Sequence, residues 1–273
     1  MLSTHSETAT SALALRSRLT RFLGNGTSWK RPLRDVIGRI EKERWRAVIF
    51  GGVVRDLAVF GPAERPRDVD IVLAGASADE IERVFEAWVV RRTRFGGVRL
   101  LVEKWMVDVW DVSSTWGINQ LGLAPNFGEL PKTTFLNVEA VAAEIGSNPG
   151  LERKIYSRAF FEALEERTVN INFEENPFPA LCVVRSLITA ARLDFNIGRA
   201  LAEYIVQHAR EEGLRELVKT QESHYGTVRA TEPRLKSWIA SIDSQLMAGQ
   251  TKIQLPLERG EQLEFSKFWS PSV

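Results

Sequence analysis

Apolar positions divide the chain into a front part with short strand-like runs and a rear part with helical spacing. In the front part, apolar runs predict strands at 46–50, 69–73, 98–103 and 106–112. Helical spacing between them predicts helices at 32–44, 53–60 and 78–88. In the rear part, helical spacing starts near Phe135 and predicts helices at 151–165, 179–193, 198–212 and 232–247. The pattern therefore predicts an α/β (α+β) head with a small mixed sheet, followed by a mainly α-helical C-terminal domain.

Residues that break regular structure set the predicted domain limits. Gly, Pro and Asn recur between 116 and 132, which predicts a long loop, and Ser147-Asn148-Pro149-Gly150 is the best candidate for a boundary. We therefore predict a basic N-terminal segment at 1–31, a head domain at 32–148 and a helical domain at 149–273. Residues 253–273 alternate only loosely, and we assign them no role.

The N-terminal segment is basic, although the formal net charge of the whole chain is only +1. No acidic residue occurs from Thr8 to Arg34, whereas Arg and Lys occur repeatedly there. Leu15, Leu19 and Phe22 recur at helical spacing, which favours an amphipathic helix packed on the head. Phosphate binding by the arginines of this segment is the alternative.

Composition excludes several classes of protein. With 273 residues, 44% of them hydrophobic and 26% charged, the chain can bury a core and is not a disordered polyelectrolyte. A single cysteine, Cys182, excludes an internal disulfide, and only three histidines accompany it, which excludes a zinc cluster. No run approaches the roughly 18 apolar residues of a membrane span. We therefore expect a soluble, cytoplasmic protein with no membrane partner.

A glycine pair follows the first predicted strand directly. Gly51 and Gly52 lie between the strand at 46–50 and the helix at 53–60, so backbone there can approach a ligand closely. The first N–H groups of the helix would point toward that ligand, and the helix dipole favours a negative charge. A plain turn is the alternative, but the arrangement is typical of a phosphate site.

Two aspartates open the second predicted strand. Asp68 and Asp70 lie two residues apart, so their carboxylates would project from the same face. Carboxylates and phosphate oxygens are the ligands that Mg²⁺ prefers, and two such ions can activate a hydroxyl and stabilise a leaving pyrophosphate. A strand end or solvated loop is the alternative for either aspartate alone. The order of glycine pair, helix and Asp-x-Asp favours a magnesium-dependent nucleotidyl transfer site.

These residues also resemble a known family. Gly51-Gly52-Val53-Val54-Arg55-Asp56-Leu57, then Gly61, then Asp68-Val69-Asp70, resembles the head domain of class II tRNA nucleotidyltransferases and bacterial poly(A) polymerases, within the polymerase-β-like nucleotidyltransferase superfamily. The resemblance implies that Gly51, Gly52 and Arg55 contact nucleotide phosphates. It also implies that Asp68 and Asp70 hold two Mg²⁺ ions.

The resemblance continues downstream with lower fidelity. Arg94-Phe95-Gly96-Gly97-Val98 resembles the family's turn into a strand, and Met106-Val107-Asp108-Val109-Trp110 resembles its strand with an acidic residue. Asp108 is therefore our candidate for a third catalytic and metal-binding carboxylate. Asp111 competes with it, but regular alternation would place Asp111 on the opposite face.

Further nucleotide contacts follow from the same resemblance. The stretch Thr133-Thr134-Phe135-Leu136-Asn137-Val138-Glu139-Ala140 matches a family segment in its Phe and Asn, but the family's Arg-Asp is absent. Asn137 is therefore a candidate nucleotide contact, and Lys132 could supply the missing positive charge. A solvated loop lysine is the alternative for Lys132.

The chain departs from the family where the incoming base is read. The family uses a Glu-Asp-x-x-Arg motif on a helix, but Phe178, Pro179 and Cys182 occupy the aligned positions, and Arg185 survives from a neighbouring arginine. The helical region is also too short for the family's full neck, body and tail. We therefore do not expect a standard CCA-adding enzyme.

The sequence favours an enzyme that transfers a nucleotide from an NTP to an RNA 3′-hydroxyl, with tRNA as the favoured acceptor. Arg91, Arg92 and Arg94 are the candidate contacts to the nucleic-acid backbone, and a protein partner or a second copy is an alternative means of holding the acceptor. Two other functions stay open. One is a toxin or phage-defence transferase that modifies tRNA or a protein side chain, and the other is a non-catalytic nucleotide-binding scaffold.

Overall fold

The computed structural model describes residues 8–24, 30–63, 66, 68–146 and 152–256. These residues form two compact units. The first unit contains the described residues up to Thr134 together with Val138–Leu164, and the second contains Phe135–Asn137 and the described residues from Glu165 onward. The predicted boundary at 147–150 lies outside the described residues.

The first unit contains a seven-stranded mixed sheet with the strand order β3-β4-β5-β2-β1-β6-β7. Strands β2 and β5 are parallel, and their other neighbours in the sheet are antiparallel. Its strands are β1 (Arg46–Phe50), β2 (Asp68–Ala74), β3 (Val89–Arg92), β4 (Val98–Val102), β5 (Trp105–Asp111), β6 (Val141–Glu144) and β7 (Ile155–Ser157). Its helices are α1 (Ala12–Gly24), α2 (Arg31–Lys42), α3 (Gly52–Phe60), α4 (Ala78–Phe85), α5 (Trp116–Gln120) and α6 (Phe160–Glu165), whose last residue belongs to the second unit.

The N-terminal helix α1 packs on the head through its apolar face, as the spacing of its leucines predicts. Leu15, Leu19 and Phe22 are fully buried. The buried guanidinium of Arg18 donates hydrogen bonds to the carbonyl oxygens of Leu57 and Ala58, in the last turn of α3. Since terminal carbonyls of a helix lack partners within it, Arg18 completes the C-terminal end of α3.

The second unit is mainly helical, which confirms the predicted fold class. It contains the three-stranded sheet β10-β9-β8 and four helices that cover most of its length. Its elements are β8 (Thr168–Val169), α7 (Pro179–Leu193), β9 (Asn196–Gly198), α8 (Arg199–Glu212), α9 (Leu214–Tyr225), α10 (Glu232–Met247) and β10 (Lys252–Ile253). Across the described residues of both units, every helix is too short or too polar to cross a membrane.

Three predictions of secondary structure are wrong, and two observed elements have no predicted counterpart. The helical spacing predicted from Phe135 onward gives way to the strand β6, and most of the predicted helix at 151–165 is replaced by β7 and the short helix α6. Strand β3 and helix α9 have no counterpart among the predicted elements, and the predicted loop at 116–132 begins with α5. Helix α9 escapes a periodicity search because Leu217 and Gln221 are its only buried residues.

Candidate active site

The three predicted carboxylates lie on two adjacent strands of the first unit. Asp68 and Asp70 are on β2, and in the parallel β2–β5 ladder Asp70 is directly opposite Asp108. All three side chains are half-buried, whereas Val69, Val107 and Val109 beside them are fully buried. This alternation places the three aspartates on one face of the sheet, as the two-residue period predicts.

An arginine of the neighbouring strand binds the third carboxylate. Arg99 on β4 is opposite Asp108 in the antiparallel β4–β5 pair. Its Nε donates to Oδ1 of Asp108 at 2.7 Å and its Nη2 donates to Oδ2 at 2.5 Å, which is a bidentate ion pair. The hydrogen bonds to Asp108 raise the pKa of Arg99, and the negative charges of Asp68 and Asp70 raise it further. Arg99 is therefore the ion-pair partner of Asp108, and it also feels the negative charges of Asp68 and Asp70.

Asp111 accepts hydrogen bonds from backbone and serine groups, whereas Asp108 pairs with an arginine. It is buried, and its Oδ2 accepts hydrogen bonds from the backbone N–H groups of Gly75 and Ala76 at 2.7 and 3.0 Å. Its Oδ1 accepts hydrogen bonds from the backbone N–H and hydroxyl of Ser113. Asp111 therefore fastens the turn after β2 to the end of β5, and Asp108 is the acidic residue of β5 on the face of Asp70.

The acidic face fits a hard divalent cation in its chemistry. In the part of the chain that the structure describes, no three His, Cys, Asp or Glu side chains are gathered into a ready metal cluster. Mg²⁺ is normally held by one or two protein carboxylates, with phosphate and water oxygens as the other ligands. The oxygen donors of Asp68, Asp70 and Asp108 suit that requirement.

The glycine turn lies next to the acidic face, at the end of β1. Phe50 is opposite Asp70 in the β1–β2 pair, and Gly51 follows it with φ of +67° and ψ of −127°. Only glycine adopts this conformation without strain. The N–H of Gly51 donates to the carbonyl of Val141 on β6, which ties the turn to the sheet. Gly52 starts the nine-residue helix α3, so the helix begins at the edge of the acidic face.

Arg55 does not lie on the open side of the glycine turn. Its side chain is only 6% exposed, its Nε donates to Asp56 at 2.8 Å and its Nη1 donates to Glu139 at 2.6 Å. A Cβ on Gly52 would lie 3.5 Å from the Arg55 guanidinium, which places this network against the turn. The observed role of Arg55 is thus to anchor the turn, and its contact with nucleotide phosphates stays a prediction.

The other predicted nucleotide contacts are distributed over both units. Lys132 is paired with Glu129, three residues earlier, at 2.5 Å. Asn137 belongs to the second unit, where its side-chain amide donates to the carbonyl of Thr168 and accepts from the N–H of Asn170. Arg185 lies half-buried on α7 in the second unit. Asn137 therefore has a structural role in the second unit, and the nucleotide contacts of all three residues stay predictions.

A cleft of about 380 Å³ opens beside Asp70 and Asp108 in the first unit. Two members of the predicted basic cluster, Arg91 and Arg94, line it together with Arg99. The third member, Arg92, instead pairs with Asp79 and Glu82 of α4. Phe95, Trp110 and Trp116 form the aromatic part of the lining.

Sequence reasoning does not reveal three features of this site, namely Arg99, Glu139 and the aromatic lining. Arg99 is hidden because the pairing of β4 with β5 decides which arginine is opposite Asp108. A buried glutamate such as Glu139 requires a partner, but the partner lies far away along the chain. The three aromatic residues come from a hairpin turn, a strand and a short helix, so no sequence period connects them.

Comparison with known proteins gives matches among solved structures. The Thermotoga maritima CCA-adding enzyme complexed with tRNA has a TM-score of 0.57 and 17% identity, with 82% of this chain and 54% of that chain covered. A CCA-adding enzyme with ATP has a TM-score of 0.57 and 16% identity, with 83% of this chain and 53% of that chain covered. A tRNA nucleotidyltransferase with a primer tRNA and an ATP analogue has a TM-score of 0.52 and 16% identity, with 76% of this chain and 60% of that chain covered.

The chain spans a little over half the length of these enzymes. No protein-family model matches it, and no curated protein matches it. At this level of identity the structural matches establish the fold alone. The chain has the fold found in CCA-adding enzymes and tRNA nucleotidyltransferases.

Proposed function

We propose that this protein is a magnesium-dependent nucleotidyltransferase that transfers a nucleoside monophosphate from an NTP to an RNA 3′-hydroxyl, with tRNA as the favoured acceptor. The observation that carries the proposal is the register of β2 and β5, which sets Asp70 opposite Asp108 next to the glycine turn. The shared fold supports it, since the matched structures include enzymes described with ATP and with tRNA.

Each part of the site has a role in this reaction. The backbone of Gly51 and Gly52 and the start of α3 bind the triphosphate, and Asp68, Asp70 and Asp108 would hold Mg²⁺. When bound, Mg²⁺ polarises the phosphate oxygens and offsets the charge of the departing pyrophosphate. Before a cation binds, Arg99 pairs with both oxygens of the Asp108 carboxylate, and Asp108 would exchange this partner for Mg²⁺.

The transfer is a single displacement at the α-phosphorus. The acceptor 3′-oxygen forms a bond to the α-phosphorus, the bond to the oxygen bridging the β-phosphate breaks, and pyrophosphate leaves. The proton of the hydroxyl passes to the carboxylate of Asp108, which lies in the cleft. Little covalent chemistry is required of the protein, so positioning and electrostatic stabilisation supply most of the rate.

The chain is not proposed to be a standard CCA-adding enzyme. The helix α7 that corresponds to the family's base-reading element begins with Pro179, and its N-cap is Phe178, so neither position offers a side-chain hydrogen bond to a base. Without such a template, strong discrimination between bases is lost. We therefore propose that the protein selects its NTP less strictly than a CCA-adding enzyme does, or selects a different NTP.

The test is incorporation of each labelled NTP into total RNA, followed by sequencing of the labelled 3′ ends. We expect incorporation that requires Mg²⁺ and is abolished in the double variant Asp68→Asn, Asp70→Asn. The matched control is Asp35→Asn with Asp243→Asn, which removes one exposed and one half-buried aspartate on helices α2 and α10 and should keep full activity. Unchanged incorporation in the first double variant would refute the mechanism.

The acceptor is identified in the same reaction. Label on protein instead of RNA would favour a transferase that modifies protein side chains. NTP binding that is independent of Mg²⁺, with no labelled product, would favour a nucleotide-binding scaffold.

A further inference from the structure

The cleft and the glycine turn lie on opposite sides of the acidic face. In the sheet order β3-β4-β5-β2-β1, the glycine turn follows β1 on one side of Asp70. The cleft is lined from β3, β4, β5 and the segment that follows β5, on the other side. The carboxylates therefore separate two binding regions of the first unit.

The geometry of phosphoryl transfer gives these two regions different ligands. The attacking and leaving oxygens lie roughly in line through the phosphorus, so the acceptor and the pyrophosphate occupy opposite sides. If the triphosphate is bound at the glycine turn, the acceptor must enter from the side of Asp108. That side is the cleft.

The lining of the cleft carries the chemistry of single-stranded nucleic acid recognition. Arg91 and Arg94 are exposed cations, Phe95 is 44% exposed, and Trp116 is half-buried. Arginines contact the backbone phosphates of a strand, and aromatic rings stack on unpaired bases. A protein hydroxyl brings neither a phosphate nor a flat base, so the lining favours an RNA end over a protein side chain.

The aromatic and basic residues are held in place by the backbone around them. Thr93 and Gly97 close the turn that carries Arg94 and Phe95, since the N–H of Thr93 donates to the carbonyl of Gly97 at 2.7 Å. A Cβ on Gly97 would lie 2.8 Å from the Cβ of Trp110, so only glycine allows this close approach. The indole N–H of Trp110 donates to the Thr115 hydroxyl at 2.9 Å, next to Trp116 in the chain. The lining is thus preorganised.

We propose that this cleft is the acceptor subsite and that it binds the unpaired 3′-terminal nucleotide of an RNA. Trp116 and Phe95 stack on its base, and Arg91 and Arg94 bind its backbone phosphates. This inference rests on the proposed function for the direction from which the acceptor enters, and it assigns the acceptor class from the residues of the cleft.

The experiment measures binding without chemistry. The full chain is titrated into a fluorescein-labelled, unstructured ten-nucleotide RNA in EDTA and without NTP, and fluorescence anisotropy gives the Kd. We expect Phe95→Ala and Trp116→Ala each to weaken binding about 5- to 150-fold, which is the range for loss of one base–aromatic stack. Trp116→Phe should restore most of the affinity, because it keeps a ring.

Matched controls separate the cleft from the rest of the surface. Phe178→Ala removes an aromatic side chain of similar exposure in the second unit, and Arg210→Ala removes an exposed arginine of α8. Both should bind RNA as the parent chain does. Arg91→Ala and Arg94→Ala should each reduce the slope of log Kd against log salt by about 0.7.

The outcomes distinguish this inference from the proposed function. Wild-type RNA affinity in both Phe95→Ala and Trp116→Ala would overturn the acceptor subsite, even if the enzyme transfers nucleotides. If the cleft variants lose RNA affinity but no reaction shows NTP turnover, the result would support the RNA subsite and refute the proposed function. Phe95 is exposed on a turn, so Phe95→Ala tests the subsite even if Trp116→Ala unfolds.

Discussion

The first unit contains two arginine–carboxylate networks that differ in burial. The network of Arg55 with Asp56 and Glu139 is closed, since its side chains are 6 to 9% exposed. The pair of Arg99 with Asp108 is more open, with side chains 32 and 18% exposed, and lies in the cleft. The same chemical groups therefore serve stability in one place and remain accessible to a ligand in the other.

The difference follows from desolvation. A buried ion pair is costly to form but also costly to break, because removing one partner leaves the other charge unpaired in a low-dielectric environment. A partly exposed pair is screened by water and adds little to stability. Carboxylates in the second situation can exchange their partner for a cation without unfolding the protein.

The largest expected effect is on the closed network. Arg55→Leu leaves Asp56 and Glu139 without their guanidinium, and we expect the free energy of unfolding to fall by about 3–5 kcal/mol. Urea denaturation followed by tryptophan fluorescence measures this change. Arg31→Leu, on an exposed arginine, is the control and should change stability by less than about 0.5 kcal/mol. A small effect of Arg55→Leu would mean that the network is not structural.

A smaller and different effect is expected at the open pair. Arg99→Gln should change the free energy of unfolding by less than about 1 kcal/mol. It should also strengthen Mg²⁺ binding by about fivefold, since removal of one nearby positive charge is worth about 1 kcal/mol in a well-solvated site. Isothermal titration with MgCl₂ measures the affinity. Weaker Mg²⁺ binding in this variant would show that Arg99 organises the acidic face instead of competing with the cation.

The smallest expected effect is at Arg92, the member of the basic cluster that pairs with α4. Arg92→Ala removes exposed ion pairs with Asp79 and Glu82, which water screens, so the stability should stay close to that of the parent chain. The salt dependence of RNA binding should stay that of the parent chain, in contrast to Arg91→Ala. A reduced salt slope in Arg92→Ala would return this residue to the nucleic-acid contacts that the sequence predicts.

Local patterns predict the central part of the fold. The apolar runs that form β1, β2 and β5, the glycine pair after β1 and the alternation of Asp68 with Asp70 each act over a few residues, so the sequence reveals them. Strand β6 is hidden because its Val-Ala-Ala-Glu sequence is short and three of its residues are fully buried, which gives no alternation. The pairings of Arg99 with Asp108 and of Arg55 with Glu139 depend on strand register and chain path, which no local pattern records.

The parallel pairing of β2 with β5 also links the proposed activity to folding. Helix α4 and the β3–β4 hairpin lie between these strands in the chain, so the pairing of Asp70 with Asp108 closes a loop that contains this whole crossover. Contacts between distant segments form late, because the entropy of closing the intervening loop must be overcome first. The proposed transfer would therefore require the complete fold of the first unit. A partly folded chain would contain both aspartates but would not transfer nucleotides.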